Sequence, residues 1–204
     1  MIEVELNWPS RPLPEDVAEY LVAARERVSD FYARHEANDT RGFVPSDYVT
    51  ICHVLRMIEE NSLACGTAFC EWGSGLGIVA SMAAILGFDS CGIEIDRELF
   101  AESQELAQEF EIPVEFINGS FVPYEAEELI DVAFQENEGE LRLTTFPDDA
   151  YQQLGQQIAD FDLIFAFPWP NDEALTARIF DRFGADGALL LTYCEKDSVR
   201  LRRK

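Results

Sequence analysis

The sequence predicts an α/β protein built on a doubly wound, mostly parallel sheet. From residue 67 onward, short apolar runs of strand length alternate with longer runs of helical periodicity. A turn with three glycines joins the first of these strands to the first of these helices. Because parallel neighbours need a crossover connection, helices of this length between strands imply right-handed crossovers and a parallel sheet.

The strands and helices of the alternating part follow one another in a regular order. The predicted strands are TAFCEW, SCGIEI, VEFIN, DLIFAF and ALLLTY. The predicted helices between them cover residues 78–86, closed by Gly87, residues 97–110, capped by Asp96, and residues 172–183, ended by Gly184. Each strand is short and apolar enough to be buried on both faces, which is typical of the inside of a doubly wound sheet.

The first part of the chain, residues 1–62, is predicted to form an N-terminal helical extension, and residues 63–204 the main domain. Residues 15–37 carry Val17, Leu21 and Ala24 at helical spacing. A second helix is predicted from about Ser46 to Glu60, with Ser46 as its N-cap.

The connection between the third and fourth strands is longer than one helix requires. It carries an insertion at about 124–148, within which EAEELIDVAFQ is predicted as a helix and ELRLTTF as a strand. The following DDAYQQLGQQIADF is predicted as the crossover helix. The insertion leaves from the carboxyl end of a strand, where such sheets bind ligands, so a substrate lid and a passive insertion are both open readings.

Composition excludes several classes of function. The formal net charge of −24 opposes binding to nucleic acid or to an anionic membrane and makes this an acidic protein. No apolar stretch is long enough to span a bilayer, and the N-terminus lacks a basic and apolar signal pattern, so we expect a cytoplasmic location. The five cysteines are scattered without a C-x-x-C pair, and we expect neither disulfides nor a metal site.

The glycine turn predicts a ligand that lies against bare main chain. Gly73, Gly75 and Gly77 follow a strand and precede a helix, where free backbone N–H groups and the helix dipole face a ligand. The next strand ends in Glu94, where doubly wound folds place a carboxylate that accepts the ribose hydroxyls of a nucleoside. A dinucleotide fingerprint would place its third glycine at position 78, which is Ile78.

The segment Glu71-Trp72-Gly73-Ser74-Gly75-Leu76-Gly77 resembles the E/D-x-G-x-G-x-G signature of class I, Rossmann-like S-adenosylmethionine-dependent methyltransferases. GIEID resembles the second motif of that family, NGSF at 118–121 the third and DLIFAFPWP the fourth. The resemblance covers about residues 67–193. It implies S-adenosyl-L-methionine as cofactor and transfer of its methyl group to an acceptor that the motifs do not identify.

The resemblance also implies which residues hold the cofactor. Glu71 would orient the loop through backbone N–H bonds and help to hold the methionine ammonium group. Ser120 stands where the family usually has an acidic residue beside adenine. The implied cofactor-binding residues are Glu71, Gly73, Ser74, Gly75, Gly77, Glu94, Ile95, Gly119, Ser120, Phe121 and Phe167.

The acceptor side departs from the family members that methylate amino groups of nucleobases or of glutamine. Those carry [DN]-P-P-[YF] after the fourth strand, and here the matching stretch is Phe167-Pro168-Trp169-Pro170. Phe167 and Trp169 either form an apolar or cation-accepting wall or only pack the strand end. Asp47, Tyr48, Asp162 and Tyr193 are conceivable catalytic groups that the sequence does not separate.

A second resemblance lies upstream, where GFVPSDYVTICHVL is similar to a segment of small archaeal and mitochondrial-type protein lysine methyltransferases. By that resemblance Val44, Pro45 and Ser46 approach the cofactor, and the acceptor is a protein lysine. Two alternatives stay open at this point. One is a non-catalytic module that binds the nucleoside or S-adenosylmethionine, and the other is an NAD-dependent oxidoreductase.

The C-terminus raises a question about the sheet edge. The family usually adds two strands in a hairpin after the fifth strand, whereas only residues 194–204 follow it here, with room for the alternating stretch SVRLR. An uncovered edge invites pairing with another chain. We therefore expect either a homodimer or coverage of that edge by the 124–148 insertion.

Overall fold

The computed structural model describes residues 1–9, 11–35, 42–136, 141, 143, 146–194 and 198–204. Within these residues the strands are β1 (Ile2–Val4), β2 (Ala68–Trp72), β3 (Asp89–Glu94), β4 (Val114–Asn118), β5 (Leu163–Ala166), β6 (Leu189–Cys194) and β7 (Ser198–Arg203). The helices are α1 (Glu15–Arg34), α2 (Tyr48–Glu60), α3 (Ile78–Ile85), α4 (Arg97–Glu109), α5 (Glu127–Glu136), α6 (Ala150–Leu154) and α7 (Glu173–Phe183).

The strands form one mixed sheet in the order β1-β7-β6-β5-β2-β3-β4. The five strands from β6 to β4 are parallel, and β7 and β1 are added antiparallel at one edge. The predicted α/β class with a doubly wound, mostly parallel sheet is therefore confirmed. All five strands predicted from the alternating pattern are present, with ends that differ from the prediction by at most one residue.

Two apolar cores cover the two faces of the sheet, because alternate residues of each strand point to opposite sides. Phe69 and Phe165 pack into the core shared with α1, α2, α3 and α4. Cys70 and Ile164, their neighbours along the same strands, pack into the core shared with α5, α6 and α7. Helices on both faces explain why the central strands are apolar throughout.

The second helix starts one residue later than the sequence predicts, and its N-cap is Asp47 rather than Ser46. The Asp47 Oδ1 atom accepts hydrogen bonds from the backbone N–H groups of Val49 at 3.1 Å and Thr50 at 3.2 Å. Both residue types are good N-caps. Asp47 is the N-cap because its side chain reaches the N–H groups of the first turn of α2. At α4 the predicted cap, Asp96, is observed.

The expectation of an uncovered edge beside the C-terminal strands is wrong, although a single described strand, β7, follows β6 in the chain, as the short C-terminus predicts. β7 pairs with β6 as the alternating stretch SVRLR suggests, and the N-terminal strand β1 then pairs with β7, in the register Ile2 to Arg203. Among the described residues of the insertion, helix α5 packs against α7 on one face of the sheet and not along this edge. Because β1 occupies the edge beside β7, that edge gives no reason to expect a homodimer. Dimerisation itself stays a prediction.

The helix that precedes β5 in the crossover from β4 is shorter than predicted. The helix α6 ends at Leu154 because Gly155 adopts a left-handed conformation with φ of 66°, and a 3₁₀ turn over Ile158–Asp160 leads into β5. The predicted helix of the insertion is present as α5. The predicted strand ELRLTTF lies outside the described residues, apart from Leu141, Leu143 and Phe146.

The N-terminal segment is attached to the rest of the fold by both packing and charge. Its helices α1 and α2 pack on α3. Arg27 of α1 donates to the Glu102 carboxylate of α4 at 2.8 Å, and Arg34 donates to the same carboxylate at 2.6 Å. The division of the chain at residue 62 stays a prediction. Within the described ranges, none of the helices is both long and apolar enough to cross a membrane.

Candidate functional site

A cavity of about 370 Å³ opens at the carboxyl ends of β2, β3, β4 and β5. One side, called here the glycine-loop half, is formed by residues 71–76, 93–95 and 119–121. The other side, called the aromatic half, is formed by residues 42–44, 46, 48, 165–170, 172 and 176, and its lining includes Phe43, Tyr48, Phe165, Phe167, Trp169, Asp172 and Thr176. This is the edge at which doubly wound sheets bind their ligands.

The glycine loop turns sharply at the end of β2 and presents its main chain to the cavity. Gly73 and Gly75 have φ angles of 68° and 54°, which side chains of L-residues rarely allow. The N–H groups of Gly73 and Ser74 donate to the carbonyl oxygen of Ile93 at 2.9 and 3.0 Å and so fix the loop to β3. A Cβ atom placed on Gly73 would meet nothing within 4 Å, so this backbone faces open space.

The third glycine of the motif serves packing. Gly77 is the left-handed N-cap residue of α3, with φ of 68°. It is not among the residues that line the cavity. A Cβ atom there would collide with the Phe116 ring and lie 2.8 Å from the Cβ atom of Ser103. Gly77 therefore lets the loop approach α4 and β4 closely, and it is the one residue of the predicted cofactor set that lies outside the described cavity wall.

Glu94, the last residue of β3, fixes the glycine loop through a hydrogen bond to its main chain. Its Oε2 atom accepts a hydrogen bond from Gly75 N–H at 2.7 Å, and its Oε1 atom accepts one from Asp96 N–H at 2.8 Å. The side chain is buried and lines the cavity. Burial raises the pKa of the Glu94 carboxyl, and the two backbone N–H bonds oppose that rise.

Glu71 is the second buried carboxyl group of the site, at the end of β2. The resemblance implied that Glu71 bonds to the glycine loop. Instead, its Oε2 atom accepts a hydrogen bond from Ala80 N–H at 2.7 Å, in the first turn of α3. Burial raises the pKa of Glu71 well above its ordinary value, and the charge of Glu94 raises it further. Within the described part of the chain, neither carboxylate has an ion-pair partner.

Ser74 also lines this site, and its hydroxyl group is a further buried polar atom. It is buried, it lines the cavity, and it has no hydrogen-bond partner among the described residues. A buried hydroxyl without a partner is costly, so a ligand that bonds to it would recover that cost. Together with the open space above Gly73 and two carboxylates, the glycine-loop half fits a ligand that carries hydroxyl groups and a positive charge.

The turn after β4 forms the far wall of the glycine-loop half. The N–H of Gly119 donates to the Glu94 carbonyl oxygen at 2.9 Å, and the N–H of Ser120 donates to the Asp148 carboxylate at 2.7 Å. The Ser120 hydroxyl accepts from Val122 N–H at 3.1 Å. Phe121 stacks on Trp72, with ring centroids 4.9 Å apart and planes 5° from parallel. Ser120 and Phe121 both line the cavity, and their contact with the cofactor stays a prediction.

Asp148 is a residue that sequence reasoning missed. A Cβ atom on Gly119 would lie 2.8 Å from its Oδ2 atom, and its Oδ1 atom accepts from Ala150 N–H at 3.0 Å. The end of the insertion thus clamps the turn at Gly119 and Ser120. The only signal in the sequence is a pair of aspartates at the start of a predicted helix, which is equally typical of an ordinary cap.

The aromatic half brings together residues from distant parts of the chain. Phe167 packs edge-on against Tyr193, with centroids 4.9 Å apart. The Trp169 ring reaches to within 3.7 Å of the place where a Cβ atom on Gly42 would stand. Val44 and Ser46 line the cavity, while Pro45 is not among the lining residues, and the approach of these residues to the cofactor stays a prediction.

Among the four conceivable catalytic groups, only Tyr48 lines the cavity. Burial raises the pKa of its hydroxyl, and the nearby Glu71 charge adds to the rise. Asp47 caps α2, and Asp162 accepts from Ala68 N–H at 3.1 Å at the opposite end of the sheet. Sequence reasoning missed Asp172 and Thr176, which line the cavity from the start of α7.

Comparison with known proteins identifies the fold. No protein-family model matches the chain, and no curated protein matches it in sequence. In structure, 194 solved chains match. An RNA methyltransferase from Salinibacter ruber, solved with S-adenosyl-L-homocysteine, superposes with a TM-score of 0.52 at 17% identity, over 78% of this chain and 90% of that one.

A protein from Klebsiella pneumoniae, assigned provisionally as an O-methyltransferase, superposes with a TM-score of 0.51 at 17% identity. That match covers 89% of this chain and 66% of the other, so the chain spans about two thirds of that protein's length. At such low identity these likenesses establish architecture. The chain has the α/β Rossmann-like fold of the class I methyltransferases.

Proposed function

We propose that the protein is an S-adenosylmethionine-dependent methyltransferase. The observation that carries the proposal is the pairing of Gly73 and Glu94 at one cavity. The main chain of Gly73 faces open space, and the carboxylate that ends the neighbouring strand lines the same cavity. A bare backbone next to a strand-end acid is the arrangement by which doubly wound folds hold a nucleoside.

The residues of the glycine-loop half suit the separate parts of S-adenosylmethionine. We assign Glu94 to the ribose hydroxyls, because its carboxylate retains lone pairs beyond the two backbone bonds. We assign Glu71 and the Ser74 hydroxyl to the methionine end, where a buried carboxylate favours an ammonium group. Ile95, Gly119, Ser120 and Phe121 are assigned to the adenine ring, and Gly75 and Phe167 to contacts on either side of the methionine arm.

When bound, S-adenosylmethionine supplies a methyl group on a sulfonium sulfur, which keeps the electron pair of the broken carbon–sulfur bond as the acceptor forms its new bond. The residues of this chain hold and orient the reactants. In well-oriented systems, alignment of this kind supplies about 7–11 kcal/mol of the barrier. The aromatic half excludes water from the methyl group because its lining is mostly apolar.

As acceptor we propose the side-chain amine of a protein lysine. The net charge of −24 attracts a basic protein and repels nucleic acid. Val44 and Ile95, both at the cavity wall, are 46% and 45% exposed, so apolar surface surrounds the opening. Exposed apolar residues at the rim suit contact with a macromolecule better than with a small molecule. We also infer a cytoplasmic location, in keeping with five free cysteines.

Mass spectrometry of the purified protein under native conditions tests the cofactor. We expect retained S-adenosylmethionine or S-adenosylhomocysteine. Calorimetric titration with S-adenosylhomocysteine and with NAD then compares the two ligand classes on one preparation. Binding of NAD in preference to S-adenosylhomocysteine would reject the proposal.

A turnover assay tests whether the protein is an enzyme or a non-catalytic binding module. The protein is incubated with S-adenosylmethionine and a cell lysate depleted of small molecules, and formation of S-adenosylhomocysteine is followed together with methyl-lysine in the protein fraction. An enzyme produces both in step with time. Tight cofactor binding without either product would support the non-catalytic module instead.

A further inference from the structure

The glycine-loop half of the cavity holds two acidic groups and no positive side chain to balance them. Glu71 and Glu94 are both buried, and both line the cavity. No Lys, Arg or His side chain of the described residues lines it with them. Burial raises the pKa of both carboxyl groups, and the charges that raise each pKa further are negative. That of Glu94 acts on Glu71, and that of Asp96 acts on Glu94.

The main chain of the glycine loop does not supply the missing positive charge. The N–H groups of Gly73 and Ser74 donate to the Ile93 carbonyl oxygen at 2.9 and 3.0 Å. The N–H group of Gly75 donates to the Glu94 carboxylate at 2.7 Å. Free N–H groups in such a loop are what hold an anion in phosphate-binding proteins. Because these three are used within the protein, they offer a ligand no cradle for an anion.

Two polar groups of this half keep the capacity to bond with a ligand. Among the described residues, Glu71 has one hydrogen-bond partner, the Ala80 N–H group on its Oε2 atom, so its Oε1 atom keeps its lone pairs. The Ser74 hydroxyl has no partner among the described residues, although only 4% of Ser74 is exposed. Both residues line the cavity where the main chain of Gly73 faces open space. The carboxylate attracts positive charge, and the hydroxyl is a neutral donor for the carboxylate of a ligand.

We propose that Glu71 and Glu94 select the ligand by its charge, so that S-adenosylmethionine binds more tightly than its product, S-adenosylhomocysteine. The two ligands share the adenosine, ammonium and carboxylate groups, and they differ by a methyl group and the positive charge on sulfur. A buried carboxylate is poorly screened by water, so both carboxylates attract that charge. This inference rests on the proposed function and deepens it, because loss of the methyl group removes the charge that the site favours and thereby promotes release of the product.

Calorimetric titration at neutral pH with three ligands tests the selection. They are S-adenosylmethionine, S-adenosylhomocysteine and sinefungin, in which a carbon that bears an amino group replaces the methylsulfonium. Sinefungin separates the two differences, because its amine is charged and it carries no methyl group on sulfur. We expect S-adenosylmethionine and sinefungin each to bind about tenfold or more tightly than S-adenosylhomocysteine. Equal affinity for all three would overturn the proposal, and so would sinefungin that binds only as weakly as S-adenosylhomocysteine.

The substitution Glu71→Gln removes the charge and keeps an oxygen that accepts from Ala80 N–H. The readout is the ratio of the dissociation constants of S-adenosylhomocysteine and S-adenosylmethionine, because damage to the fold weakens both ligands alike. We expect Glu71→Gln to reduce this ratio about threefold or more, and Glu94→Gln to do the same. Glu115→Gln, exposed on β4, removes one charge from the surface and should leave the ratio unchanged. Should Glu71→Gln fail to fold, Glu94→Gln decides.

The same titrations distinguish failure of this inference from failure of the proposed function. Folded Glu71→Gln and Glu94→Gln variants that both keep the wild-type ratio would overturn the assignment of the selection to these carboxylates. A wild-type protein that binds the three ligands equally well would overturn the inference and leave the proposed function standing. A protein that binds none of the three would overturn the proposed function and this inference with it.

Discussion

The two halves of the cavity are built by different means. The glycine-loop half includes bare main chain and two strand-end carboxylates, and its segments lie at the carboxyl ends of three strands of the parallel sheet. The aromatic half consists of large side chains from the segment before α2 and the segment after β5. The first half therefore depends on backbone geometry and the second on side-chain identity. We therefore expect substitutions in the glycine-loop half to affect nucleoside binding, and substitutions in the aromatic half to affect recognition of the acceptor.

The strongest test of this separation is to fill the open space above Gly73. A leucine at Gly73 meets no protein atom at its Cβ but projects into the cavity, so we expect loss of S-adenosylhomocysteine binding in a titration. Gly155→Leu is the matched control, because its φ of 66° imposes the same backbone strain where a Cβ atom also meets open space. Gly155→Leu should bind normally.

A related substitution, Gly75→Val, acts on the boundary between the halves. Its Cβ atom would lie 2.7 and 2.8 Å from two atoms of the Phe43 ring, so Phe43 must move. We expect binding of S-adenosylhomocysteine to be lost here too. Retained binding in both glycine variants would contradict the assignment of the loop.

The next largest effect is expected for Glu94→Ala. A charge-assisted hydrogen bond contributes about 1.5–3 kcal/mol, which corresponds to about 10- to 150-fold weaker binding of S-adenosylhomocysteine. Part of the loss of affinity will come from a change in the glycine loop, because the substitution removes the acceptor of the Gly75 N–H group. Glu115→Ala, exposed on β4, is the control and should leave affinity unchanged. Unchanged affinity in Glu94→Ala itself, measured on folded protein, would remove Glu94 from the site.

The smallest expected effect is a pH dependence that arises from Glu71. Burial raises the pKa of this carboxyl, and Tyr20, Tyr48, Cys70 and Glu94 are the groups coupled to it by charge. Only the ionised form attracts an ammonium group. Affinity for S-adenosylmethionine should therefore increase with pH through the raised pKa of Glu71, by about tenfold per pH unit at most for one proton. Glu71→Gln should bind more weakly and lose this slope.

The same shift predicts the sign of a stability change. Because the pKa of Glu71 is higher in the folded than in the unfolded chain, its contribution favours folding below the unfolded pKa and is lost as pH rises through the folded pKa. Glu71→Gln should therefore raise the melting temperature of the ligand-free protein at neutral pH. A variant that is no more stable than the wild type at neutral pH would show that Glu71 is not destabilising there.

Sequence reasoning was accurate where the structure is local. The path from β2 through the glycine loop to α3, and the position of Glu94 at the end of β3, follow from consecutive residues and from the rule that parallel strands end at one edge. It was inaccurate where two ends of the chain meet. Nothing in the three residues of β1 indicates that they pair with β7, because strand pairing depends on the partner as much as on the strand.

By itself, the sequence determined the α/β class, the order of the central elements and the backbone that faces the proposed nucleoside, since glycines and strand-end acids act through positions close in sequence. Only the tertiary structure decided that Asp148 clamps the turn at Gly119, that Phe43 covers Gly75, and that Asp172 reaches the cavity. Each of these contacts joins segments far apart in the chain. Their approach is set by the packing of helices on the sheet, which no local pattern specifies.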